Sequence, residues 1–83
     1  MYLVRLAPRA EKELNKLPRD MQKRAQLSLS AIAKNPLLGK PLKGRLAGAH
    51  SVYVWPHRIV YAPFHAQKTV IVLRIRHRKD AYR

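Results

Sequence analysis

Apolar residues change their repeat midway along this chain. Up to about residue 34 they recur every three or four positions, and from residue 50 onward they alternate or run together. The first pattern paints one stripe along a helix and the second one face of a strand, so helices must come first and a sheet afterwards. Between them lies "KNPLLGKPLKGRLAG". Its prolines and glycines interrupt both periods, and it reads as an extended loop, the least regular and most mobile segment.

The elements can be placed within this frame. "YLVRLA", residues 2–7, alternates as a short first strand with Leu3 and Val4 on opposite faces. Pro8 suits the first turn of a helix through "RAEKELNKL", where its missing N–H is not needed. Leu6, Ala10, Leu14 and Leu17 form the buried stripe, and Pro18 forces Leu17 out of the helical region. A second helix runs from Pro18 to about Lys34 on Met21, Ala25, Leu29 and Ile32, with Leu27 and Ala33 widening its face. Residues 50–55, 57–64 and 69–77 follow as strands, with turns at Pro56 and "HAQK". Val70 and Val72, with Ile71 and Leu73, are expected to be buried on the two faces of the last strand. The order βααβββ predicts an α+β domain over residues 1–83: an antiparallel sheet packed by an N-terminal helical hairpin. At this length the core is large enough to fold, with little to spare.

Charge narrows the partners. Eighteen Lys and Arg face four Asp and Glu, a formal net charge of +14 with a pI near 11.3. That balance draws a protein to polyanions. No carboxylate occurs between Asp20 and Asp80, which excludes paired-carboxylate catalysis and acid-rich Mg²⁺ or Ca²⁺ sites from the middle of the chain. Cysteine is absent, and His50, His57, His65 and His77 show no metal-ligand spacing, so no metal and no cofactor are expected. No stretch approaches the roughly 18 apolar residues of a membrane span, and the N-terminus lacks the pattern of a signal peptide. A cytoplasmic protein without membrane partners is the expectation.

The chain finishes "VLRIRHRKDAYR". On a regular strand Arg74, Arg76 and Arg78 share one face, and Leu73, Ile75 and His77 the other. If the last two strands pair across "HAQK", Arg58 of "RIVY" falls beside that strand end, near His77, Arg78 and Tyr82. Such a cluster is a phosphate cradle with titratable neighbours. Tyr53 and Trp55 are candidates for stacking on bases, for the core, or for a partner contact.

With "LKGRLAG" at 42–48 and "HRIVY" at 57–61, this terminal motif resembles the RelE/ParE superfamily of toxins from bacterial type II toxin–antitoxin systems. The resemblance covers the chain end to end. It implies neutralisation by a cognate antitoxin, acidic on charge grounds. It also implies one of two activities: metal-independent mRNA cleavage in the ribosomal A site, which is favoured, or inhibition of DNA gyrase with no nuclease activity. Residue by residue, Arg58, Arg78 and Tyr82 match the catalytic positions. His77 sits where some members carry a lysine or a glycine-flanked histidine, and Lys43 falls in a loop that often contacts RNA. Lys40, Arg45, Arg74 and Arg76 are further candidate nucleic-acid contacts, the last two alternatively holding the antitoxin's acids. Ser51 and Tyr53 depart from the pattern, since active RelE-like proteins carry basic residues there, and "WPH" replaces a common Gly-Asp turn. Cleavage uses the adjacent 2′-hydroxyl as nucleophile. It needs a proton acceptor, cations for the phosphorane and a proton donor for the leaving 5′-oxygen. Arg58 and Arg78 suit the second role, His77 either proton role, and Tyr82 a base or a stacking surface.

Overall fold

The computed structural model describes residues 1–79, so Tyr82 lies outside the described residues. The elements are β1 (Leu3–Leu6), α1 (Pro8–Lys16), α2 (Arg19–Lys34), β2 (Lys40–Pro41), β3 (His50–Val54), β4 (His57–Phe64) and β5 (Thr69–His77). Pro8 occupies the start of α1, and Leu17 adopts the extended conformation that Pro18 demands, which ends the helix. Asp20 stands in the first turn of α2 and Lys34 in the last, each at the pole of the helix dipole that favours its charge.

The α+β order is as expected, but the sheet is mixed rather than antiparallel throughout. Its strand order is β1-β5-β4-β3-β2. β1 pairs parallel with β5, Leu3 opposite Thr69 and Leu6 opposite Val72, while each neighbouring pair from β2 to β5 is antiparallel. The helical hairpin carries the chain away from β1 to the far edge of the sheet. The meander then returns and lays its last strand between β1 and β4. The loop also contains β2, paired with β3, and a 3-10 turn at Gly44–Leu46.

One face of the sheet carries the helices. Ala10, Met21, Ala25, Leu29 and Ile32 meet Val54, Ile59, Tyr61, Val70, Val72 and Ile75 there, with Leu6, Leu14 and Leu17 packed against them. Leu27 is 71% exposed and does not widen the buried face of α2. It lies two residues after Ala25 and two before Leu29, about 200° round the helix from each.

A bulge decides which side chains face away from the helices. β5 pairs Val72 with Tyr61 but Arg74 with Val60, so Leu73 is an extra residue. Val72 and Ile75 consequently both face the helices, and Leu73 does not share the face of Ile75 as regular alternation requires. Leu73 instead lines a groove on the helix-free face with Ala62, Phe64, Leu46 and Arg45.

Candidate nucleic-acid interface

The helix-free face has an apolar part around Leu73 and a cationic part towards the β3–β4 hairpin. Three residues stand in one row across the sheet: Tyr53 on β3 pairs with Arg58 on β4, which pairs with Arg76 on β5. Arg58 Nη2 donates to the Tyr53 hydroxyl, and its guanidinium carbon lies 4.0 Å from the Tyr53 ring centroid. Arg78 repeats the arrangement one step along. Its guanidinium carbon lies 4.8 Å from the Trp55 ring centroid, and its backbone N–H donates to Pro56 O at 2.9 Å. The two rings are themselves neighbours, with centroids 6.2 Å apart, and each is 55% exposed. A stacked guanidinium commits its flat side to the ring and presents its N–H donors at its edge, where Arg58 gives one to the Tyr53 hydroxyl. The hairpin thus carries two neighbouring rings, and each supports a cation, Arg58 from β4 and Arg78 from just beyond β5.

Not every arginine is placed for an anion. Arg74 turns round the edge of β5 to Glu13 on α1, Nη2 to Oε2 at 2.8 Å, and Arg76 Nε lies 3.9 Å from the same oxygen. Glu13 Oε1 also accepts the Ile75 N–H at 2.9 Å. β1 ends opposite Val72, so beyond that point the Glu13 carboxylate takes the place of a neighbouring strand. Burial pushes its carboxyl up, but the Arg74 hydrogen bond, the Ile75 N–H and the charges of Arg74 and Arg76 outweigh burial and hold it below the ordinary 4.5. A folded value below the unfolded one means that the folded chain binds fewer protons. The stabilisation is therefore present above 4.5 and lost as pH falls through the depressed value. Glu13→Gln is expected to flatten that part of the acid-unfolding profile and to cost about 1–2 kcal/mol at neutral pH, measured by urea titration at stepped pH.

His77 is set apart from Arg58. It pairs with His57 across β4 and β5, on the face that carries the helices. The two rings meet edge to face with centroids 5.6 Å apart, in a groove of about 440 Å³ lined also by Glu13, Lys16 and Leu17. Burial lowers the His57 pKa below 6.5, and the neighbouring His77 lowers it further. His77 Nδ1 accepts the Lys79 N–H at 3.3 Å. The structure thus brings Arg58, Arg76 and Arg78 to one face and His77 to the other. Lys40 stands in β2, and Lys43 and Arg45 lie at the 3-10 turn. The Tyr53–Arg58 contact is what sequence reasoning missed. The pairing rule held the signal, because the closest register of a hairpin turning at Pro56 sets residue 53 opposite residue 58.

A second buried device anchors the loop to the sheet. The Gly39 N–H donates to the Tyr61 hydroxyl at 2.8 Å, and that hydroxyl donates to Pro36 O at 2.8 Å. His50 stacks on the Tyr61 ring with centroids 5.6 Å apart, and its Nδ1 lies 3.0 Å from Gly39 O. A Cβ at Gly39 would stand 2.8 Å from both the Ser51 carbonyl oxygen and the Tyr61 hydroxyl, so only glycine fits there.

Two helices on one face of a five-stranded mixed sheet, with a basic patch on the other, define an architecture shared with known toxins. The structure superposes on the RelBE2 toxin–antitoxin complex from Mycobacterium tuberculosis with a TM-score of 0.85 and 33% identity, covering 93% of this chain and 98% of that one. It has the fold of the isolated E. coli RelE toxin, with a TM-score of 0.83 and 20% identity over 93% of this chain and 84% of that one. Toxin RelG of Mycobacterium tuberculosis is 36% identical over 84 residues, which span 99% of this chain and 97% of that protein. Residues 4–82 match the family described as the ParE toxin of the type II toxin–antitoxin system, parDE. The chain belongs to that family, and so to the RelE/ParE superfamily of type II toxins. Among the described residues, no helix is long and apolar enough to cross a membrane.

Proposed function

We propose that this toxin is a RelE-like endoribonuclease that cuts mRNA on the ribosome without a metal and is silenced by a cognate acidic antitoxin. The observation that carries the reading is the pair of guanidiniums, Arg58 on Tyr53 and Arg78 on Trp55, held on neighbouring rings at the helix-free face. A phosphodiester attacked by its own 2′-oxygen gains negative charge on the phosphoryl oxygens. Fixed, permanently charged fork donors stabilise that charge without having to reorganise. Arg58 and Arg78 take that role. Arg76 adds field from the same row, while Lys43 and Arg45 extend the basic surface along the loop towards flanking phosphates. His77 shapes the strand end beside His57. The antitoxin reading is supported by the solved complex of the similar mycobacterial toxin with its antitoxin and by the net charge of +14. The cytoplasm, where ribosomes are, is the matching location.

The match to a ParE family favours a second reading, inhibition of DNA gyrase with no hydrolysis. Ser51 and Tyr53, where basic residues are expected of a RelE-like nuclease, point the same way. Brief induction in a bacterial host, with mRNA 5′ ends mapped alongside an SOS reporter, separates the two. New 5′ ends inside translated codons, lost in Arg78→Ala, are the expected result. Intact mRNA with a strong SOS signal would sink the nuclease.

A further inference from the structure

Metal-free cleavage leaves one requirement that Arg58 and Arg78 cannot meet. The 5′-oxygen departs as a strongly basic alkoxide unless it is given a proton, and a guanidinium does not release one near neutral pH. His77 and His57 stand on the opposite face of the sheet. Arg58 has two cross-strand partners, Arg76 and Tyr53. Arg76 holds its protons as Arg58 does, so of the two only Tyr53 can give one up.

We infer that the Tyr53 hydroxyl is the catalytic acid of this toxin, the group that protonates the leaving 5′-oxygen. The inference rests on the nuclease reading and deepens it. Three observations carry it. The hydroxyl accepts a hydrogen bond from Arg58 Nη2, so its own O–H remains to donate elsewhere. The ring lies under the same guanidinium, 4.0 Å from centroid to carbon, which fixes its orientation. The side chain is 55% exposed on the helix-free face, where a phosphate held by Arg58 would also sit. One phosphodiester can therefore meet the Arg58 charge and the Tyr53 proton at once.

The step balances with groups already named. The 2′-oxygen bonds to phosphorus as its proton passes to water. The bond from phosphorus to the 5′-oxygen breaks, and that oxygen leaves with the bonding pair and takes the Tyr53 proton. The products are a 2′,3′-cyclic phosphate and a 5′-hydroxyl. The tyrosinate left behind faces the Arg58 guanidinium, a charge-assisted pair, until solvent returns the proton.

Single-turnover cleavage of mRNA on programmed ribosomes tests this with two linkages at the scissile site, the natural one and a 5′-bridging phosphorothiolate. The second carries a sulfur leaving group that needs no proton. Tyr53→Phe keeps the ring under Arg58 and removes only the hydroxyl. It is expected to slow cleavage of the natural linkage by about a hundredfold or more, and to cut the phosphorothiolate within a few-fold of the wild-type rate. Two results would overturn the assignment: a Phe variant within about threefold of wild type on the natural linkage, or a loss that sulfur does not restore. Wild-type protein that cuts neither substrate would overturn the nuclease reading itself, which keeps the two failures apart.

Discussion

Arg58→Ala is expected to lower ribosome-dependent mRNA cleavage by a factor on the order of 10² to 10³, the usual cost of removing one preorganised donor from a developing oxyanion. Arg58→Lys is not expected to restore it. The native guanidinium lies over the Tyr53 ring and reaches the Tyr53 hydroxyl together, and an ammonium has no flat side and no fork. Arg58 lies on a sheet face away from the core, so the loss should come without unfolding, which circular dichroism of the purified variant checks. The informative comparison is with Arg78→Ala, whose guanidinium rests on Trp55 instead. If the two cations share one phosphate, the double variant should lose less than the product of the single losses. Cleavage by Arg58→Ala at the wild-type rate would remove the helix-free face from the chemistry altogether.

The largest effect on stability is expected at Tyr61. Its side chain is fully buried, and its hydroxyl connects Gly39 and Pro36 of the loop to the middle of β4. Tyr61→Ala removes a large core side chain and should cost about 3–5 kcal/mol. A domain of this size has roughly 5–15 kcal/mol in total, so that variant should be largely unfolded at low urea. Tyr61→Phe keeps the ring and leaves the Gly39 N–H and the Pro36 carbonyl without their buried partner, for about 1–3 kcal/mol. Equilibrium urea unfolding of the two variants separates the ring from the hydroxyl. Wild-type stability in Tyr61→Phe would mean that water replaces both hydrogen bonds.

The helices were legible because period and proline coincide. Ala10, Met21, Ala25, Leu29 and Ile32, which the repeat picks out, are all buried, and Pro8 and Pro18 stand at the boundaries. The meander was legible for similar reasons, with turn residues at the spacings a hairpin needs. The partner of β1 was not. Whether a short edge strand runs parallel or antiparallel to its neighbour is a property of the path through the helices, and "YLVRLA" reads the same either way. The bulge at Leu73 was equally hidden, since an extra residue in a β-branched run leaves no local mark. That single insertion is why Leu73 faces away from the core and Ile75 towards it. At the site, proximity of Arg58 to the end of β5 followed from pairing alone. The commitment of Arg74 to Glu13 joins residues 61 positions apart, and nothing near either residue announces it.

Glu13 also sets how this surface behaves before it meets anything. Among the described residues it is the carboxylate that pairs with the arginines of β5, and its attention goes to the rim of the sheet. The cations of that face belong to a molecule of net charge +14, whose positive groups repel one another on balance. In such a molecule affinity and folding are two readings of one quantity. Whatever polyanion settles on that face relieves the repulsion and raises the melting temperature by the same linkage that makes it bind. Added salt does a weaker version of both. Occupation of the basic face is therefore expected to steady the fold as well as to silence or direct the toxin.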